Sequence, residues 1–227
     1  MRAMSYNQRN SGKVFIMKLS SPFVVVLCGL MLLTLPAASA GAQDHPWMVR
    51  AGVQVSPFAF GNAGAGPGGP EYGDAFAAGV GGVLEVALRL DERFSLLAGG
   101  GYDVFGGCSH EGVDFDDLET AYGYIGGKLH IIPVETSWDP YLRVAAGGVR
   151  MSAVDIDYMG MTGEYWEASW QMLLDFGFGL AYRWQRLEFY LELTLRHLGE
   201  PDAALGSASE ADTAWTLPVK FGIGFSF

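Results

Sequence analysis

Thirteen ionisable side chains fall on one side of a two-residue alternation: Arg50, Glu85, Arg89, Asp103, Lys128, His130, Arg143, Asp175, Arg183, Glu188, Glu192, Arg196 and Lys220. Seven are Arg or Lys and five are Asp or Glu, so their charges nearly cancel. Gathered in one narrow space, they would have ion pairing as their chemistry, because a buried charge is costly unless it is paired. Glu192 or Glu188 with Arg183 or Lys220 are the expected partners, and a gated polar path is the functional alternative to a filled one. A second acidic set lies elsewhere. Segments 59–74, 104–119, 152–168 and 198–213 hold 15 Asp or Glu and no Lys or Arg, densest in "HEGVDFDDLE" at 110–119. Carboxylate oxygens are hard-ion ligands, so these segments could gather divalent cations. "DIDYMGMTGEYW" has Asp155, Asp157 and Gly160 in calcium-loop positions, but Trp166 stands where the bidentate Glu belongs, and it is not an EF-hand. No phosphate loop, zinc spacing or serine-hydrolase elbow is present, so no cofactor, resident metal or catalytic residue is expected.

The elements that would position these groups are strands. "LEFYLELTLRH" puts Leu187, Phe189, Leu191, Leu193 and Leu195 on one face and Glu188, Tyr190, Glu192, Thr194 and Arg196 on the other. "WQMLLDFGFGLAYRW" and the final "WTLPVKFGIGFSF" alternate in the same way. Eight strands are expected, near 47–58, 75–90, 94–104, 120–132, 140–151, 169–184, 187–197 and 214–227. The fifth needs a bulge to keep Arg150 off the apolar face, and Pro218 belongs near the loop end of its strand. Connections alternate between tight (91–93, 134–139, 185–186) and long. That is the plan of an up-and-down, eight-stranded antiparallel transmembrane β-barrel.

Before residue 43 the chain reads as a secretory signal: a basic start at Lys18, an apolar run from Phe23 to Leu35, and small residues that set cleavage after Ala40 or Ala42, with Met17 a candidate true start. The apolar run is short for a signal anchor, and Cys28 lies too deep in it for a lipoprotein signal. The domain is then 43–227. It carries 10 Lys or Arg against 25 Asp or Glu, a balance that excludes nucleic acid as a partner. Cys108 alone remains, so no intrachain disulfide can form.

Alternation cannot by itself separate a membrane barrel from a soluble lipocalin-type barrel. Size can. One face is rich in Phe, Leu, Ile, Met and Trp, and the other in glycine (79, 81, 99, 101, 147, 177, 179, 222 and 224). An eight-stranded lumen has room only for the small face, so the bulky face looks outward to lipid. All six Trp residues (47, 138, 166, 170, 184, 215) are expected in the aromatic girdles at strand ends. On these residues, and on the ending "FGIGFSF", the chain resembles the OmpA/OmpX-type outer-membrane barrels over about 47–227. The resemblance implies a monomer in the outer membrane of a Gram-negative bacterium, among lipid and lipopolysaccharide. It also implies that Phe225 and Phe227 are read by the barrel-assembly machinery. Similar barrels include lipid A deacylases with a Ser two residues after a rim His, but here His197 is followed by Gly199. The OmpW-like carriers of small apolar molecules are the other alternative, with inward Val83, Leu97 and Leu173 as its support. The expectation is a non-enzymatic structural or surface-interaction protein, with a charge-plugged lumen and acidic outer loops.

Overall fold

The computed structural model describes residues 46–64, 69–132, 137–206 and 209–227. The expected signal segment and its expected cleavage positions lie outside the described residues. Among these residues the strands in chain order are β1 (Trp47–Ser56), β2 (Phe58–Phe60), β3 (Gly79–Arg89), β4 (Phe94–Phe105), β5 (Ser109–His110), β6 (Val113–Phe115), β7 (Leu118–His130), β8 (Trp138–Met151), β9 (Val154–Tyr158), β10 (Met161–Glu167), β11 (Ser169–Trp184), β12 (Leu187–Leu198), β13 (Asp202–Ala203), β14 (Ala214–Thr216) and β15 (Val219–Ser226), with one short helix, α1 (Tyr72–Ala75).

Eight of these strands close a barrel. β1, β3, β4, β7, β8, β11 and β12 pair in sequence, all antiparallel, and β15 joins β12 to β1. Closure removes the open edges that a sheet would otherwise expose. The last strand seals the ring along its length, from Val55 opposite Val219 to Met48 opposite Ser226, and the Phe227 N–H donates to the Trp47 carbonyl. At one end the turns are tight: Asp91 accepts from the backbone N–H of Arg93 and Phe94, and Gln185 takes a left-handed φ of 59°.

The alternation predicts most of the strand positions, and its misses have local causes. The first strand ends at Ser56 and the last is broken between Thr216 and Val219, because Pro57 and Pro218 fall at neighbouring positions on the two sides of the seam and neither has an N–H for the ladder; the Leu217 N–H donates to the Pro57 carbonyl. Pro218 therefore sits at a break with a short outer strand, β14, beyond it. Residues 75–78 are not strand; Ala75 ends α1. β8 keeps its register without a bulge. Arg150 is outward and exposed, opposite Trp170 at the outer end of the strand.

The long connections are not open loops. β5, β6, β9, β10 and β13 form a second sheet. Beneath it an aromatic core includes Phe58 against Tyr72 and Phe105 at 5.0 and 4.7 Å, and Trp166 against Tyr72 and Phe76 at 5.6 Å each. Trp166 is fully buried there and donates its indole N–H to the Ser209 carbonyl, so it is a core residue and not a girdle one. Trp47, Trp138, Trp170 and Trp184 are exposed outward. All fifteen carboxylates of the four long segments lie on the exposed surface of this cap.

The belt is uneven. Phe176, Phe178, Leu191, Leu193, Phe221 and Ile223 project from β11, β12 and β15, whereas on β4, β7 and β8 the mid-height outward row is Gly100, Gly123 and Gly148.

Candidate functional site

Period two sends every second residue of the eight barrel strands inward, and register decides which inward residues meet. Four ion-paired couples are direct cross-strand partners: Arg50 with Glu85, Asp175 with Arg196, Arg183 with Glu188, and Glu192 with Lys220. Their charged atoms approach to 3.7, 2.8, 3.3 and 2.9 Å. Other contacts reach past a neighbouring strand. Arg196 also reaches Asp103 at 3.4 Å, and Gln54 donates to Asp103 at 2.6 Å and to the Tyr122 hydroxyl at 2.8 Å. At mid-height Glu192 accepts from Arg143 (2.8 Å), Lys220 (2.9 Å), the Tyr141 hydroxyl (2.9 Å) and Thr194 (3.1 Å). Below it Glu85 pairs with Lys128, and Arg50 with Glu188. The lowest layer is Arg183 with Asp139, and Asp139 with His130. Except for Arg89 and Arg183, all thirteen of these ionisable groups are buried.

Four tyrosines share the lumen, and each stands opposite a glycine on the adjoining strand: Tyr122 opposite Gly101, Tyr124 opposite Gly99, Tyr141 opposite Gly179 and Tyr190 opposite Gly222. The glycines are needed for this close approach. A Cβ at Gly179 would lie 2.1 Å from Cζ of Tyr141, and one at Gly101 would lie 2.3 Å from the Tyr122 hydroxyl. The ring faces in turn carry cations, with Arg196 4.0 Å from the Tyr122 centroid, Arg143 4.4 Å from Tyr124, and Arg50 5.1 Å from both Tyr141 and Tyr190.

Twelve charged residues were expected to share the lumen, and all twelve lie on inward positions. Eleven are joined through ion pairs. Arg89 is the exception: among the described residues it has no ion-pair partner, and its Nε is buried without an acceptor. It faces a cavity of about 1310 Å³ at the turn end, lined also by Arg50, Ser95, Lys128, His130 and Arg183. Asp139 was expected in a turn, but β8 begins at Trp138 and brings it into the lumen network; Gln54, Ser95, Tyr122, Tyr124 and Tyr141 join it there, at positions that strand parity alone marks as inward. Leu173 is fully buried and Val83 and Leu97 nearly so; all three pack into the main apolar cluster and do not line the cavity. His197 faces outward and meets Trp215 edge-on at 4.8 Å. "DIDYMGMTGEYW" is the β9–β10 hairpin, turning on Met159 and Gly160 at positive φ. Among the described residues no group of three or more His, Cys, Asp or Glu is placed to hold a metal ion.

No protein-family model matches this sequence, and no curated relative matches it. Solved structures do. Neisserial surface protein A aligns over 80% of this chain and 97% of its own at 12% identity, with a TM-score of 0.52. OprG from Pseudomonas aeruginosa aligns over 81% and 96% at 11% identity, with a TM-score of 0.53. AlkL, determined in lipid bilayers, aligns over 85% and 94% at 14% identity, with a TM-score of 0.54. The chain has the fold of the eight-stranded outer-membrane β-barrels. In this fold the turns at 91–93 and 185–186 and both ends of the barrel chain, Trp47 and Ser226, stand at one end and the acidic cap at the other. The lumen can hold charge and exchange hydrogen bonds, and a large cavity forms its cationic mouth at the turn end.

Proposed function

We propose that this barrel is a non-conducting protein of structural or surface-interaction type, whose lumen is plugged by its own ion pairs and whose acidic cap meets the cell exterior. The observation that carries this reading is the unbroken ladder from Asp103 near the cap to Asp139 near the periplasm, with Arg196, Asp175, Arg143, Glu192, Glu85, Arg50, Glu188 and Arg183 between them. Such a ladder fills the width that eight strands enclose and leaves no continuous water path. The cap supports the second half: carboxylates without a cation among them would meet anionic lipopolysaccharide through diffusely held divalent cations. The barrel works as a monomer, with assembly started from its C-terminal strand by the barrel-assembly machinery. A carrier for small apolar molecules would need an apolar pocket in the lumen, and Val83, Leu97 and Leu173 are occupied in packing. A deacylase at the outer rim would need a nucleophile where Gly199 stands.

The test is electrical. Purified barrel in a planar bilayer should show no steady conductance, and Glu192→Ala should admit small, flickering currents. Large stable channels from the unmodified protein would overturn the plugged reading.

A further inference from the structure

The periplasmic mouth holds an arrangement that plugging does not require. Ser95 Oγ lies 2.8 Å from His130 Nε2, and His130 Nδ1 lies 2.8 and 2.9 Å from the two oxygens of Asp139. Asp139 is ion-paired with Arg183, and a carboxylate offers only acceptors. In the neutral ring Nδ1 therefore carries the proton, which leaves the Nε2 lone pair to accept from the Ser95 hydroxyl. Nucleophile, base and orienting carboxylate thus stand in the order that activates a serine. No sequence motif announces it, because the three residues come from β4, β7 and β8.

Register also supplies an electrophilic partner. Ser95 is directly opposite Arg89 on β3 and Lys128 on β7, where cross-strand side chains are neighbours. Lys128 is occupied by Glu85, but Arg89 has no ion pair among the described residues and a buried Nε without an acceptor. Ser95, His130 and Arg89 all line the 1310 Å³ cavity. A guanidinium with unused donors beside a poised hydroxyl is suited to receive negative charge as it develops on a carbonyl oxygen.

We propose that the periplasmic mouth is an ester-hydrolysing site, with Ser95 as nucleophile, His130 as general base and acid, Arg89 as the oxyanion partner and Asp139 as a positioning residue. Its substrate is an acyl ester bearing a negative charge. This goes beyond the plugged-barrel reading, which concerns the lumen above it. The charge preference follows from Arg89, Lys128, Arg183 and Arg186 in the lining against Glu92, and Met48 and Ala87, on the inward face, give an acyl chain apolar surface. Ser95 Oγ bonds to the acyl carbon while its proton passes to His130 Nε2 and the carbonyl π pair moves to oxygen, facing Arg89. Collapse of that oxyanion breaks the ester C–O bond, and the leaving alkoxide takes the proton from Nε2. Water then attacks the acyl-Ser95, giving its proton to His130. Expulsion of Ser95 Oγ, which recovers that proton, frees the carboxylic acid.

The test uses the full chain refolded in detergent, with heat-modifiable gel mobility confirming that each variant is folded. A fluorophosphonate reagent should modify Ser95, located by peptide mass. Ser95→Ala should abolish the adduct, and His130→Gln should slow its formation about 100-fold or more, the usual worth of a general base. With 4-nitrophenyl succinate as the anionic ester, Arg89→Gln should lower kcat about 100-fold, as loss of one oxyanion donor does, and erase the preference over neutral 4-nitrophenyl butyrate. Asp139→Asn should lower kcat with KM unchanged, which a general loosening of the mouth would not do. Fatty acid released from phosphatidylglycerol vesicles would identify a lipid ester as the substrate, and turnover of the soluble ester alone would identify a soluble one. Absence of a Ser95 adduct on folded barrel, or equal ester turnover by Ser95→Ala and the unmodified protein, would overturn the proposal.

Discussion

Replacing Glu192 by Ala removes one acceptor from four donors. Arg143 keeps only longer contacts, to Asp175 at 3.5 Å and Glu85 at 3.7 Å, and Lys220 keeps Asp175 at 3.9 Å. Asp175 already receives two hydrogen bonds from Arg196. Lys220 is thereby left with one committed carboxylate, which it shares with Arg143, and the Tyr141 and Thr194 hydroxyls lose their acceptor. Breaking a dry buried pair by removing one partner costs about 3–5 kcal/mol. That is a factor of roughly 10² to 10⁴ in the folding equilibrium. Glu192→Gln, which keeps the volume and some acceptor capacity, should cost less. Leu193→Ala, one residue on and 52% exposed on the outward face, leaves the ladder intact and is the control. Equilibrium guanidinium unfolding of barrel refolded into vesicles, followed by tryptophan fluorescence, gives the differences as shifts in midpoint at constant slope. A loss under about 1 kcal/mol for Glu192→Ala would mean that water solvates the lumen and the dry-pair figure does not apply. A greater loss for Leu193→Ala would mean that the two faces are reversed.

Deleting Phe227, or replacing it with Asp, should lower the amount of assembled barrel in cells without changing synthesis, whereas Ser226→Ala should not; equal assembly of both would reduce the ending to an ordinary strand. Gly179→Ala should cost about 1–3 kcal/mol, the usual range for overpacking, because the new methyl would overlap the Tyr141 ring. Adding Tyr141→Ala should then recover part of that loss in the same unfolding assay, and a fully additive double variant would dissolve the Tyr–Gly argument.

The barrel itself was legible in the sequence, for a physical reason. A strand's period of two is a local property of the backbone, and lipid outside with a narrow lumen inside leaves only one way to orient a bulky face and a glycine face. Parity of this kind marks the inward charges. It even yields the pair Glu188–Arg183, since the tight turn at Gln185–Arg186 fixes the register of its two strands, whereas Glu192–Lys220 joins strands that a long connection separates. It failed where the alternation was interrupted. Pro57 and Pro218 split their strands at the same height, and the acidic segments conceal an aromatic core because Trp166, Tyr72, Phe76 and Phe105 follow no period. Only the closed structure decides the contacts that cross the lumen: Arg143 on β8 with Glu192 on β12, Arg196 on β12 with Asp103 on β4, and the relay from Ser95 through His130 to Asp139 over β4, β7 and β8. These depend on the radius of the barrel and on the rotamers of long side chains reaching past a neighbouring strand, which neither period nor composition encodes. For the same reason Arg89 reads in the sequence as one cation among seven, while the fold sets it opposite Ser95 at the mouth, without an ion pair among the described residues.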